Sequence, residues 1–158
     1  NNLLALANSR SRLRMTTLYY YAAINNYLVV GTGNKVEDFG VGFYTKYGDG
    51  GVDLSPIADL MKTDVRLIAK ELGIIDRIIK APPTDGLWDD SRTDEDQLGA
   101  SYEELEKAMK QVENKVQIET LSSREIEVYK ILNQFNYANK HKMEPIPICI
   151  IPEHFKTK

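Results

Sequence analysis

Residues 28–53 gather side chains suited to binding anions and hard cations. The apolar run Leu28-Val29-Val30 stops at Gly31-Thr32, and a carboxylate, Glu37, follows five residues after the threonine. Next comes Phe43-Tyr44-Thr45-Lys46-Tyr47-Gly48-Asp49-Gly50-Gly51-Val52-Asp53, a loop with a lysine and two aspartates. Open α/β sheets bind ligands beyond the carboxyl ends of their strands, so a strand ending in Gly-Thr is a candidate site. A buried strand followed by an ordinary turn is the competing reading. Lys46 can hold a phosphate or carboxylate as a point charge, and Asp53 can accept hydrogen bonds from a ribose or an amide. Glu37 is the best candidate for a hard metal ligand, because Mg2+ takes one or two carboxylates plus substrate oxygens. A solvated surface role is the plain alternative. Five of the ten glycines lie between residues 38 and 53, which asks for unusual backbone angles or a close approach to a ligand.

Other cations point the same way. Arg10, Arg12 and Arg14 fall in the first turns of a helix expected over residues 9–26, capped by Ser9 or Ser11, where positive charge opposes the helix dipole and suggests an anionic partner. A solvated basic face is the alternative. Lys62 stands just before Thr63, a candidate N-cap for a helix over 63–72 that stops at Gly73. A lysine beside a helix N-terminus strengthens a positive site. His141-Lys142 at the end of another helix reads as a dipole-compensating or phosphate-facing pair.

The remaining elements position these groups. Leu28–Thr32 reads as a parallel strand buried on both faces. Ile74–Ile79 is a short apolar segment. Residues 82–100 read as a solvated, mobile loop: nine acidic residues and one basic residue, Arg92, lie between Asp85 and Glu106. Trp88 in that loop suits either a lid or a local hydrophobic anchor. Capping boxes Ser101-Tyr102-Glu103-Glu104 and Ser122-Ser123-Arg124-Glu125 start helices to about residue 112 and about Lys140. Pro145 and Pro147 forbid a regular helix in the tail.

Composition sets bounds. The chain has 158 residues, 42% of them hydrophobic and 27% charged, enough for one globular domain. A net charge of −3 argues against a nucleic-acid partner, and no apolar run is long enough for a membrane span. With one cysteine and two histidines there is no zinc pattern and no internal disulfide. Cys149, set in Ile146-Pro147-Ile148-Cys149-Ile150-Ile151, reads as buried filler rather than a nucleophile. Asn1–Asn8 is a poor signal peptide, and with no initiator methionine the chain is expected to begin inside a longer protein. There is neither a Walker lysine loop nor a three-glycine dinucleotide fingerprint.

Several segments, in order, resemble the synthetase domain of NAD synthetase: Arg12-Leu13-Arg14-Met15, Val30-Gly31-Thr32-Gly33-Asn34-Lys35-Val36-Glu37, the loop from Gly42 to Asp53, Lys62-Thr63, Ala81-Pro82-Pro83-Thr84, Asp94-Glu95 with Leu98-Gly99, and His141-Lys142. That family belongs to the N-type ATP pyrophosphatases. The resemblance implies an α/β, Rossmann-like parallel sheet flanked by helices, of the adenine nucleotide alpha hydrolase-like type. It implies a carbon–nitrogen ligase: ATP activates the nicotinate carboxylate of deamido-NAD as an acyl-adenylate, pyrophosphate leaves, and attack by ammonia releases AMP and NAD. By resemblance Thr32, Lys62 and Thr84 contact ATP, and Glu37 binds Mg2+. Arg12, Lys46, Asp53, His141 and Lys142 contact deamido-NAD. The acidic stretch around Trp88 resembles a loop that orders over the site. A cytoplasmic homodimer with dinucleotide sites at the subunit interface is also implied.

One departure is large: the family's pyrophosphate loop, Ser-Gly-Gly-x-Asp-Ser, is absent from these 158 residues. The chain is therefore expected to be the C-terminal portion of a single synthetase domain, inactive alone, and using free ammonia when whole. One extra residue between Glu37 and the Lys46 loop leaves the match of Asp38 to Val41 open. The competing expectations are a non-catalytic dinucleotide-binding or interaction fragment and another N-type ATP pyrophosphatase amidotransferase.

Overall fold

The computed structural model describes residues 2–88, 90 and 92–156. Its first helix, α1, runs over Asn2–Asn25 and so starts earlier than expected. Leu3 to Ala7 are strong helix formers and extend it backwards. Ser9 is consequently no cap: its hydroxyl donates to the Ala5 carbonyl at 2.9 Å from within the helix. The three arginines therefore stand in mid-helix rather than at a helix start, and the dipole argument for an anionic partner lapses.

A π-helical turn, Val36–Val41, follows. Asn34, 1% exposed, holds its start through Oδ1, which accepts from the Val36 and Glu37 N–H groups at 3.0 and 3.2 Å. The turn ends at Gly42 with φ +63°, where a Cβ would stand 2.5 Å from Asn139 Cβ. Helices α2 (Lys62–Glu71), α3 (Asp76–Ile79), α4 (Asp94–Leu98), α5 (Tyr102–Glu113) and α6 (Ser123–Met143) complete the fold, with short 3-10 turns at Ile118–Thr120 and Glu153–Phe155. Both long C-terminal helices carry the expected capping boxes: Ser101 Oγ accepts from Glu104 N–H, and Ser122 Oγ from Glu125 N–H.

The core lies where the π turn, α5 and α6 meet. Val36 and Val41 from the turn, Tyr102, Leu105, Ala108 and Met109 from α5, and Val128 and Leu132 from α6 form one buried cluster. Helix α6 also satisfies the carbonyls at the end of the turn. Asn136 donates to Phe39 and Gly40 at 3.1 and 2.8 Å, Asn139 to Val41 at 2.9 Å, and Lys142 to Gly42 at 2.8 Å.

Several expectations are corrected. Among the described residues the strand Leu28–Thr32 is a single parallel bridge, Val30 to Leu54. Gly31 N–H donates to Leu54 at 2.7 Å and Asp53 N–H to Val29 at 2.9 Å. A parallel strand is stable when both faces are covered, but Leu28 and Val30 are 66% and 53% exposed. Thr63 is not a cap: Met61 precedes α2, and the Thr63 hydroxyl donates to Glu106 at 2.6 Å instead. Gly73 does terminate the helix, at φ +71°. Residues 82–100 are not simply solvated, because Thr93 caps α4 and Leu87, Asp94, Leu98 and Ala100 are buried. Cys149 is exposed, not filler: the prolines keep residues 145–152 out of a helix, and this segment exposes its isoleucines.

The capping carboxylates make stability pH-dependent. The Arg124 guanidinium, with the Ser101 N–H, holds Glu104 at about 2 against an ordinary 4.5. The Ser122 hydroxyl and Lys107 hold Glu125 at about 2. Both values are depressed on folding, so their contribution is present above about 4.5 and is lost as pH falls through about 2. Thermal melts should show a falling Tm across that window. Because both groups are only half-buried and solvent screens their partners, the Glu104→Gln/Glu125→Gln double variant should melt only a few degrees lower at pH 7, with a shallower acid slope. An unchanged acid slope would sink the assignment.

Candidate nucleotide site

Two cavities meet between α1, the glycine-rich loop and the 81–88 segment. The larger, about 610 Å³, is lined by Thr32, Glu37, Lys62, Thr84 and Asp94. Thr32 sits just past the parallel bridge, and Lys62 is the first residue of α2. Glu106, buried on α5, fixes that helix start by accepting from the Thr63 N–H at 2.9 Å and from its hydroxyl. Lys62 Nζ lies 2.9 Å from Glu37 Oε1 and 4.9 Å from the Tyr102 ring centroid. The Tyr102 hydroxyl is 2.6 Å from the same Glu37 oxygen and 3.2 Å from Asp94 Oδ2. Burial, then the Glu37 charge, raises the Tyr102 pKa, so the phenol remains a donor. Burial raises the Asp94 carboxyl as well, and its Oδ1 has no hydrogen-bond partner among the described residues.

The second cavity, about 340 Å³, is lined by Arg12, Lys46, Trp88, His141 and Lys142. Its cations already satisfy protein carbonyls. Arg12 Nε donates to Lys46 at 3.2 Å, Lys46 Nζ donates to the His141 carbonyl, and Lys142 Nζ donates to Gly42 and Tyr44 at 2.8 and 2.7 Å. Burial lowers the Lys142 pKa. The structure thus brings Thr32, Lys62, Thr84 and Glu37 to one cavity, and Arg12, Lys46, His141 and Lys142 to its neighbour. Asp53 lines neither of these two cavities. Its Oδ2 accepts from Val29 N–H at 2.7 Å and its Oδ1 from the Tyr19 hydroxyl at 3.0 Å, tying the bridge to α1.

Sequence reasoning passed over Asn8, Ser11, Asp94 and Tyr102 as parts of the site. Ser11, 3% exposed, donates to Asp49 Oδ1 at 2.7 Å and accepts from Asp49 N–H at 3.0 Å. Asn8 accepts from the Thr45 hydroxyl at 2.7 Å. The loop glycines serve this approach of chain to chain, since a Cβ at Gly48 would fall 2.2 Å from Ser11 Oγ. The available signal was a helical serine between two arginines whose loop partner carried a spare aspartate. Arg10 and Arg14 clamp the acidic segment through its carbonyls: Arg10 to Leu87 at 2.7 Å, Arg14 to Asp85 and Gly86 at 3.1 and 2.8 Å. Trp88 is anchored there, its Nε1–H donating to Asp85 at 3.1 Å while Arg92 stacks 4.4 Å from its ring.

Glu37 suits a hard cation, as one carboxylate beside a buried, partnerless Asp94 oxygen. Among the described residues no three His, Cys, Asp or Glu side chains gather around a common point, so these residues form no metal cage of their own. That donor set fits Mg2+ held partly by substrate oxygens.

A lysine at a helix N-terminus, two threonines and a carboxylate line one cavity, a set whose chemistry suits an anion such as a nucleotide phosphate. A family profile described as NAD synthase matches residues 1–146, and the chain belongs to that family. It is 53% identical over 103 residues to an NH3-dependent NAD+ synthetase of Carboxydothermus hydrogenoformans, covering 65% of this chain and 42% of that one. The enzyme of the same name from Mesoplasma florum is 39% identical over 155 residues, covering 98% of this chain and 57% of its own. Among solved structures, NMN synthetase from Francisella tularensis superposes with TM-score 0.77 at 31% identity, covering 96% of this chain and 57% of that one. NH3-dependent NAD synthetase from Campylobacter jejuni, in complex with the nitrate ion, gives 0.70 at 29%, covering 94% and 56%. The chain spans about half the length of the relatives it matches.

Ser11 holds α1 to the loop that divides the cavities. Ser11→Ala removes two hydrogen bonds and should lower stability by about 1–2 kcal/mol, read by urea denaturation. A loss below about 0.3 kcal/mol would show that the contact holds nothing.

Proposed function

We propose that the protein containing these residues is an ammonia-dependent NAD synthetase, which converts deamido-NAD to NAD with ATP and ammonia through an acyl-adenylate. One observation carries the reading: the cations and hydroxyls sort into two abutting cavities that share Phe43, Asp49, Asp85 and Leu87 as a common wall. One cavity suits ATP and the other a second nucleotide. The activities for which the relatives are named support the same assignment.

A carboxylate is a poor electrophile, and transfer of AMP to it supplies a leaving group. The protein therefore has to orient two anions, neutralise phosphate charge and keep water out. Lys62 neutralises phosphate charge, while the Thr32 and Thr84 hydroxyls orient ATP. Arg12, Lys46, His141 and Lys142 receive deamido-NAD, and Asp53, expected as a further contact to it, ties the bridge to α1. Mg2+ at Glu37 would supply further charge neutralisation on phosphate oxygens. The Arg10 and Arg14 clamp holds the 85–87 segment over both cavities. The missing Ser-Gly-Gly-x-Asp-Ser loop supports reading the chain as the C-terminal portion of one synthetase domain. The bridge between Val30 and Leu54 supports a parallel sheet in that domain. The exposed Leu13, Tyr20, Tyr21 and Ile24 of α1 support a homodimer, and the lone unpaired cysteine supports a reducing cytoplasm.

A second substrate is favoured by the likeness to the Francisella tularensis enzyme: nicotinate mononucleotide in place of deamido-NAD. The natural protein, given ATP, Mg2+ and ammonium, should release AMP and pyrophosphate with deamido-NAD. Lys62→Ala should lower kcat by about 10²–10³-fold. Turnover of nicotinate mononucleotide alone moves the assignment to the second substrate. Turnover of neither leaves the reading without its reaction.

A further inference from the structure

Tyr102 is the largest fully buried side chain of the core, at 0% exposure, yet its hydroxyl leaves the core and reaches the ATP-side cavity. There it meets Glu37 in a lopsided arrangement. Oε1 of Glu37 has two close donors, Tyr102 at 2.6 Å and Lys62 at 2.9 Å. Among the described residues Oε2 has only the Asn34 N–H, at 3.4 Å. A carboxylate gripped by one oxygen presents the other.

The phenol has a single proton, and its two carboxylate neighbours are unequal. Glu37 at 2.6 Å takes the proton, and Asp94 at 3.2 Å stands behind it on the first turn of α4. Asp94 is 8% exposed, with no donor to its Oδ1 among the described residues, and its Oδ2 is the weaker of the two acceptors for the phenol. Lys62 cannot be the lasting anchor. It is flexible, partly exposed, and is the group that a bound phosphate would draw away. Once Lys62 turns to a phosphate, Tyr102 is the donor that remains on Oε1.

We propose that Tyr102 is a positioning residue for divalent-cation binding: its hydroxyl pins Oε1 of Glu37 so that Oε2 faces the cation. This rests on the reading of Glu37 as the cation ligand. The groups that orient a ligating carboxylate commonly set metal affinity by 10–100-fold. A core tyrosine with an incidentally satisfied hydroxyl would affect stability alone.

The test is titration of the natural protein with Mn2+ in the presence of a fixed concentration of inorganic phosphate, which draws Lys62 from Glu37, following free Mn2+ by EPR, with a thermal melt of each variant. Tyr102→Phe should weaken Mn2+ binding about tenfold, and Glu37→Gln should abolish it. Unchanged binding in Glu37→Gln removes the cation reading of Glu37 and this inference with it. Loss in Glu37→Gln with Tyr102→Phe within twofold of wild type overturns the positioning role alone. If Tyr102→Phe does not fold, Asp94→Asn decides. Its amide N–H can donate to the phenol oxygen and leave the phenolic proton to Glu37, so binding should be unchanged or tighter. A tenfold loss in folded Asp94→Asn would make Asp94 a ligand in its own right and overturn the proposal.

Discussion

The contact of Lys62 and Tyr102 with one oxygen of Glu37 ties together side chains from three elements. Glu37 comes from the π turn, Lys62 from the start of α2, and Tyr102 from the start of α5. The packing beneath is apolar, with Val36, Leu105 and Leu132 all buried. The contact itself is charged and faces a cavity. Apolar packing brings the three backbones close but is non-directional, and the hydrogen bonds then set the orientation of the carboxylate. Glu106 does the same for α2 from behind, by capping it through Thr63. One helix, α5, thus fixes both the lysine and the carboxylate.

Much of this was legible in the sequence, for identifiable reasons. The Ser-x-x-Glu boxes that begin α5 and α6 are local signals, since cap and carboxylate are three residues apart, and both helices start where expected. The grouping of Thr32, Glu37, Lys62 and Thr84 was legible only through resemblance to a family, because these residues meet across long sequence separations. Tyr102 was read as an ordinary position inside a capping box, since nothing local distinguishes a core tyrosine from one that reaches a carboxylate 65 residues away. The strand is realised among the described residues only as one parallel bridge, for the opposite reason. Leu28-Val29-Val30 has a strand's composition, but strand formation depends on neighbours that composition does not report.

The glycine-rich loop shows how a correct local inference can find an unexpected cause. Its glycines were expected to permit strained angles or to admit a ligand. Gly42 does take a positive φ, but its close neighbours are α6 side chains, and those of Gly48 include Ser11 of α1. The loop is compressed between the first and last helices. That compression brings Arg12 near Lys46, and Lys46 and Lys142 near the carbonyls they satisfy. The apolar side chains are unevenly used. The π turn, α5 and α6 bury most of theirs, Phe39, Val112 and Tyr137 excepted, whereas Leu13, Tyr21, Leu28 and Ile78 lie open, as at surfaces that receive another body.

The cations of both cavities share one property with a mechanistic consequence. Lys62 is paired with a carboxylate, and Lys46 and Lys142 with backbone carbonyls. A phosphate arriving at such a site does not meet bare charge. It displaces existing partners, so the net gain is the difference between two sets of contacts. The partners differ in what their release costs. A carbonyl on the surface of a loop can turn to water. The Glu37 carboxylate is largely enclosed and cannot easily be left with less, so release of Lys62 favours a second positive group at Glu37. On the proposed reading, cation and phosphate would be coupled through one lysine, each making room for the other.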